Sequence, residues 1–301
     1  MRVDILCRSL GRQCGIAEYT LALAERLQAR PISNASQVMN PVVMIEYEPA
    51  LYNSVNDLLH EIRRLQPAIV LVDIIRELPS DIASRLSEQR VLSAVRAPNG
   101  FTNIVMPQAD YPQVQVSFHE PARLKLGAFG FALPNKRYNS LIGLSVRLGV
   151  PMLILAAQAT ASPGIGRLSR RYLRSLLREA PVSVEIDHRF LSNEGIVNRL
   201  HGCSHLVCAM EDLGLSSGSL RLMSQARRPI ISLPCRGAEE IGACVVESWD
   251  DVSLALLAQP LPLTHFVDGL EDYQRVLDEL LSCQQRLDVL RTEVLGVYHQ
   301  N

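Results

Sequence analysis

The sequence predicts an α/β protein made of two doubly wound halves, each a parallel sheet covered by helices. Three observations carry the prediction. Short apolar runs, such as residues 152–156, alternate with longer segments of helical period, such as residues 55–65. The runs do not alternate between apolar and polar residues, which marks strands buried on both faces. The whole series also breaks near residues 120–125 and then restarts.

Each element can be justified in turn. Residues 3–7 read as a strand, and 8–15 as a loop ending in glycine. Ile16, Tyr19, Leu23 and Leu27 recur at helical spacing, which predicts a helix over 16–29. Residues 42–47 form the second strand. Leu58, Leu59, Ile62 and Leu65 share one side of a helix over 55–65. A strand over 68–74, a short helix over 81–87 and strands over 91–95, 103–106 and 114–118 complete the first half. In the second half the predicted strands are 126–131, 152–156, 182–186, 205–209, 229–233 and 244–246. Helices over 137–148, 166–179, 193–200 and 219–226 lie among them, and 270–297 is helical with no further strand. The expected division is 1–122, 123–265 and a helical tail, 266–301, that either packs back on the first half or serves a partner. Sheets of this kind bind ligands beyond the carboxyl ends of their strands, so the expected site is a cleft between the halves.

Composition narrows the function. The net charge of -1 supplies no global field toward nucleic acid or anionic lipid, so any such binding has to be local. The apolar run 150–157 is far below the roughly 20 residues that span a bilayer. The first residues are too charged for a signal peptide. A cytoplasmic protein is expected. The seven cysteines lack zinc-site spacing and read as reduced, mostly buried thiols. Of 30 basic residues only Lys125 and Lys136 are lysines, which makes a lysine within a motif easy to notice.

The loop Gly11-Arg12-Gln13-Cys14-Gly15 joins the first strand to the first helix. Amides at a helix start attract anions, and glycine permits close approach. A tight turn without ligand has the same composition, and the G-x-G-x-x-G dinucleotide fingerprint is absent.

The residues that follow carry a resemblance. Cys14-Gly15-Ile16-Ala17-Glu18-Tyr19-Thr20 is similar to the segment opening the first helix of family 4 glycosyltransferases, as is Ile45-Glu46-Tyr47-Glu48-Pro49 after the second strand. Gly130-Phe131-Ala132-Leu133-Pro134-Asn135-Lys136 resembles the family's G-R-x-x-x-x-K segment, which opens the C-terminal domain. Phe190-Leu191-Ser192-Asn193-Glu194 resembles the stretch before the last donor-site strand. The run from Glu211 through Gly214 to Ser219, followed by Arg228-Pro229-Ile230, resembles the E-x-x-G loop, its helix and the next strand.

The resemblance implies the GT-B architecture, two Rossmann-like domains facing a cleft. It implies retaining transfer of a sugar from a nucleotide sugar, UDP- or GDP-linked, to a hydroxyl of a saccharide, lipid, protein or hydroxymethylated DNA base. The nucleotide sugar is a substrate, so no cofactor is expected. No D-x-D triplet occurs, so no metal is expected either. Lys136 falls on the family's diphosphate-binding lysine. Gly15, Gly130, Glu211, Ser216, Ser217 and Gly218 join it on the donor side; Arg12, Glu46, Tyr47 and Glu48 fall on the acceptor side. Asp73, where relatives carry a histidine, and His119, at the end of the first half, are the further catalytic candidates. Either could equally be a loop or capping residue. The chain departs from the family at Phe131, where an arginine is usual, and at Leu222, where a glutamate is usual. These departures keep two alternatives open: a non-catalytic binding subunit of the same fold, and a nucleotide-sugar epimerase.

Arg167, Arg170, Arg171, Arg174 and Arg178 recur at helical spacing. They form either a solvated face or a track for the phosphates of a nucleic acid or a membrane surface.

Overall fold

In the computed structural model of the chain, both predicted sheets form and every strand pair is parallel. The structure describes residues 3–48, 51, 52, 54–65, 69–74, 92–95, 111–116, 121, 123–210, 218–235, 237–265, 269–279, 281 and 282. The helix expected over 81–87, the strand over 103–106, and His119, Glu211, Ser216 and Ser217 lie outside the described residues.

The chain divides into two compact units. The first comprises Met1–Arg8, Leu23–Ala109 and Asp268–Asn301; the second comprises Ser9–Ala22 and Asp110–Val267.

The first unit holds β1 (Val3–Leu6), β2 (Arg30–Ile32), β3 (Val42–Tyr47), β4 (Ile69–Ile74) and β5 (Leu92–Val95) in the order β2-β1-β3-β4-β5. Strands β1 and β3 are buried along their whole length, as their unbroken apolar character requires. Helix α1 (Gly15–Leu27) runs from one unit into the other. Helix α2 (Val55–Arg64) lays Leu58, Leu59 and Ile62 on Ile45, Val70 and Val72. Ser54 caps it by accepting from the Asp57 amide at 3.3 Å. Asp4, fully buried in β1, accepts from Arg30 Nε and Nη2 at 2.9 Å each, and from the amides of Met39 and Asn40 at 2.8 and 3.0 Å. Burial alone would raise its pKa; these donors outweigh burial and hold it at about 2. Residues 270–279 are helical, and Tyr273 donates to Met44 Sδ at 3.0 Å, so part of the tail packs within this unit.

The second unit holds β6 (Leu126–Phe129), β7 (Met152–Leu155), β8 (Val184–Asp187), β9 (His205–Cys208), β10 (Ile230–Ser232) and β11 (Cys244–Val245) in the order β11-β10-β9-β6-β7-β8. Helices α3 (Tyr138–Leu148), α4 (Pro163–Glu179), α5 (Asn193–His201), α6 (Gly218–Ser224) and α7 (Leu254–Leu257) accompany it. Leu141, Leu144, Leu173 and Leu176 bury against Met152, Ile154 and Val207. Each such side chain contributes about 1.5–3 kcal/mol by leaving water.

Strand order locates the ligand-binding crevices. In each sheet the chain builds outward on one side, returns, and builds outward on the other. The reversal falls between β1 and β3 in the first unit and between β6 and β9 in the second. Beyond the carboxyl ends of those strands, the connecting loops part and leave a crevice.

One expectation is corrected, and two elements went unpredicted. Residues 114–116 are not a strand: the Val114 amide donates to Gln225 Oε1 at 2.8 Å instead of to a sheet neighbour. Strand β2 and the one-turn α7 were not predicted. The described cysteines are free, and all but Cys244 are buried. No described helix is long and apolar enough to cross a membrane.

Candidate active site

In the second unit the loop after β6 carries the chain from Gly130 to α3. Gly130 has φ +152°, and a Cβ there would sit 2.9 Å from Lys136 Cε and 3.0 Å from Tyr138 Oη. Only glycine fits. A 3-10 turn over Pro134–Lys136 follows, and Arg137 then takes a left-handed conformation, φ 47°, at the N-cap of α3. A left-handed non-glycine residue costs about 1 kcal/mol, and such strain collects at functional sites. Lys136, on the turn just before Arg137, reaches to the carboxyl end of β9, the neighbour of β6.

The Lys136 ammonium is 3.3 Å from Met210 Sδ, just beyond β9, and donates to Ser219 Oγ at 3.1 Å in the first turn of α6. It meets no carboxylate among the described residues. Burial pushes its pKa down, opposed by the Cys208 and Cys235 thiols nearby. The Tyr138 hydroxyl, in a side chain 1% exposed, has no hydrogen-bond partner among the described residues and lies 3.0 Å from where a Cβ on Gly130 would stand. Cys208 ends β9. It takes a hydrogen bond from Cys235, which with the Lys136 ammonium outweighs burial and holds its thiol below the usual range. Ser232 Oγ lies 3.4 Å from Cys235 Sγ. A desolvated cation, two hydroxyls and a glycine that must stay bare suit an anionic oxygen group.

The glycine loop belongs to the same unit. Gln13 and Thr160 exchange backbone and hydroxyl hydrogen bonds at 2.8 and 2.9 Å, and Arg12 Nη1 donates to the Ala161 carbonyl at 2.8 Å. This brings Gly15, at the start of α1, to Phe131: a Cβ on Gly15 would lie 3.8 Å from its ring. Phe131 stacks on Phe190, ring centroids 6.2 Å apart. Tyr111 meets Tyr19 edge-on at 6.4 Å, and its hydroxyl lies 3.3 Å from where a Gly218 Cβ would stand. Of the donor-side candidates, Gly15, Gly130, Lys136 and Gly218 therefore surround loops of one crevice.

The acceptor-side candidates divide. Arg12 lies in the second unit; Glu46, Tyr47 and Glu48 lie in the first. Tyr47 is 2% exposed and packs on Tyr52 at 5.2 Å, so its ring fills the core. The carboxylates of Glu46 and Glu48 are buried at the end of β3. Asp73 pairs in register with Glu46 across β3 and β4. Beside them is a group with no sequence motif. Arg8, the residue after β1 but one, ion-pairs with Asp57 and Glu61, lies 4.0 Å over the Tyr52 ring, and Tyr52 donates to Glu61 at 3.1 Å. Leu222 is 2% exposed and belongs to the interior. Met210, Ser219, Tyr138 and Cys208 were missed because their meeting is made by the sheet and not by spacing in the chain.

No protein-family model matches the chain, and no curated protein matches it in sequence. Solved structures do match in fold. HepE of Anabaena, in complex with UDP-glucose, aligns with a TM-score of 0.63 at 11% identity, over 94% of this chain and 100% of that one. AviGT4, a glycosyltransferase involved in avilamycin A biosynthesis, aligns with a TM-score of 0.58 at 12% identity, over 93% of each chain. A UDP-forming α,α-trehalose-phosphate synthase from Burkholderia xenovorans, in complex with glucose-6-phosphate, aligns with a TM-score of 0.53 at 12% identity, over 81% of this chain and 70% of that one. The chain has the GT-B glycosyltransferase fold.

Proposed function

We propose that the protein transfers a sugar from a nucleotide-sugar donor to an acceptor hydroxyl, with the donor diphosphate seated at Lys136. The observation that carries this reading is the half-buried ammonium of Lys136 at the switch point of the second sheet, set among hydroxyls and a bare glycine, with no carboxylate against it among the described residues. As the bond from the sugar carbon to the diphosphate oxygen breaks, its electrons pass to that oxygen. Lys136 offsets the charge that develops there in a partly dry site. Ser219 and Tyr138 add hydroxyl donors. The acceptor hydroxyl bonds to the same carbon and releases its proton, with Asp73 and His119 the candidate partners. The UDP-glucose held by HepE supports a uridine diphosphate sugar as the donor. Similarity to family 4 supports retention of configuration and independence from metal.

The test is thermal unfolding with UDP, GDP, ADP and TDP and their sugars, for wild type and Lys136→Ala. A ligand at about 100 times its Kd stabilises by roughly 2.7 kcal/mol. Losing a charge-assisted phosphate contact of about 1.5–3 kcal/mol weakens binding by about 10- to 150-fold. UDP or its sugars should stabilise wild type by that amount and the variant by only about 0.3–1.4 kcal/mol at the same concentration, and the sugar should be consumed only when an acceptor is supplied. Release of UDP without acceptor assigns an epimerase-like reaction, and a shift without turnover assigns a binding subunit. No shift with any nucleotide removes the donor reading.

A further inference from the structure

Helix α4 presents a surface that the donor site does not use. Its buried residues, Ser169, Leu173 and Leu176, face the sheet. At 3.6 residues per turn, Arg167, Arg170, Arg171, Arg174 and Arg178 fall on the side directly opposite, within about 100° of one another. All five are exposed, and no acidic residue occurs between the first and the last. The row runs for about 16 Å along the helix. Arg178 has one exposed ion pair, with Glu179 at 3.5 Å. Among the described residues the other four have none, and an open groove of about 610 Å³ is lined by the five arginines and Ser175. Like charges at this spacing oppose the helix, so the row does not exist to stabilise it.

We propose that this face of α4 docks the protein on an anionic lipid bilayer. Guanidinium forks match phosphate oxygens two at a time, which suits them to phospholipid headgroups. The apolar neighbours select bilayer over nucleic acid. Leu168 and Leu177, 49% and 46% exposed, flank the arginine row, and Val182 projects fully into solvent just past the helix. Aliphatic groups gain by entering acyl chains and gain nothing from a sugar-phosphate backbone. The face also lacks an aromatic ring for base stacking: its one tyrosine, Tyr172, is half-buried and accepts from the Tyr138 amide at 2.9 Å.

Co-sedimentation of the full chain with vesicles tests the proposal. The protein should pellet with vesicles of phosphatidylglycerol and phosphatidylcholine in equal parts, should not pellet with phosphatidylcholine alone, and should release as salt rises. Each arginine near an anionic surface strengthens binding by about fivefold, so the triple variant Arg170→Gln, Arg171→Gln, Arg174→Gln should bind roughly a hundredfold more weakly. Its melting temperature should hold, since the three side chains are exposed and have no partner to lose. Equal pelleting with both vesicle types, pelleting with neither, or undiminished binding by the triple variant overturns the proposal. Tighter binding to a single-stranded oligonucleotide than to the anionic vesicles reassigns the face to nucleic acid. The proposal does not rest on the donor reading: Lys136→Ala should sediment like the wild type.

Discussion

Gly130→Ala distinguishes a glycine required by the fold from one that only leaves room for a ligand. At φ +152° an alanine meets backbone strain of about 1–3 kcal/mol. Its methyl would stand 2.9 Å from Lys136 Cε and 3.0 Å from Tyr138 Oη. Tyr138 is 1% exposed and cannot retreat, so Lys136 must swing away and give up its 3.1 Å contact with Ser219. Overpacking of this kind adds roughly 1 kcal/mol or more. The expected loss is about 2–4 kcal/mol, read as a lower urea midpoint at unchanged slope. Gly15→Ala is the comparison. Among the described residues its methyl meets Phe131 alone, at 3.8 Å, an ordinary contact at a helix start. Stability should hold or rise by up to about 1 kcal/mol, the propensity gain of alanine over glycine. Both variants should lose stabilisation by UDP, the first because Lys136 has moved and the second because the methyl occupies ligand space. If Gly130→Ala unfolds with the wild type and keeps the UDP shift, the account of the β6 loop as the diphosphate seat is wrong.

Asp4→Asn removes a carboxylate held at a pKa of about 2 against an ordinary 3.8. A lowered folded-state value stabilises above the unfolded one and stops doing so as pH falls toward the folded one. The variant should therefore be less stable by about 2 kcal/mol at most at neutral pH, after allowance for the partly exposed Arg30, and the gap should close between about pH 4 and 2. Urea midpoints measured at both ends check this; a gap independent of pH counts against it. Cys208 should ionise below a free thiol, followed by ultraviolet thiolate absorbance, and Cys235→Ala should move the midpoint upward by removing its main donor; no movement excludes Cys235 as the cause. Gly127→Ala places a methyl 2.8 Å from both Cys203 Sγ and Leu206 Cδ2, and should cost about 1–3 kcal/mol by thermal unfolding while leaving UDP binding intact in the folded fraction.

The parts of the fold written in local pattern were legible. The bounds of β3 follow from an apolar run, and the faces of α2 and α4 follow from their period. Strand β2 was not legible because Arg-Pro-Ile is short and contains proline, which a sheet admits at its edge, where β2 lies. Residues 114–116 were misread because Val114 and Val116 alternate like a half-buried strand, while the amide of Val114 is satisfied by a side chain 111 residues away. At the site, Lys136 stood out through the rarity of lysine. Met210, Ser219 and Cys208 did not, because β9 comes to lie against β6 only after two further strands have been laid on the other side.

The path of the chain bears on how such a protein can be cut, swapped or shortened. Residues 9–22 belong with a unit whose remainder begins at residue 110, and the tail from 268 belongs with the unit that starts the chain. No single break yields two whole pieces. A fragment spanning 110–267 would lack the strand-end partners Arg12 and Gln13, whose hydrogen bonds hold Thr160 and Ala161. Recombination at one crossover would leave each product with a borrowed segment from its other parent. Under the proposed function, a change of donor is therefore expected to arrive through substitutions in the β6 and β9 loops and not through exchange of a module. Engineering it should follow the same course.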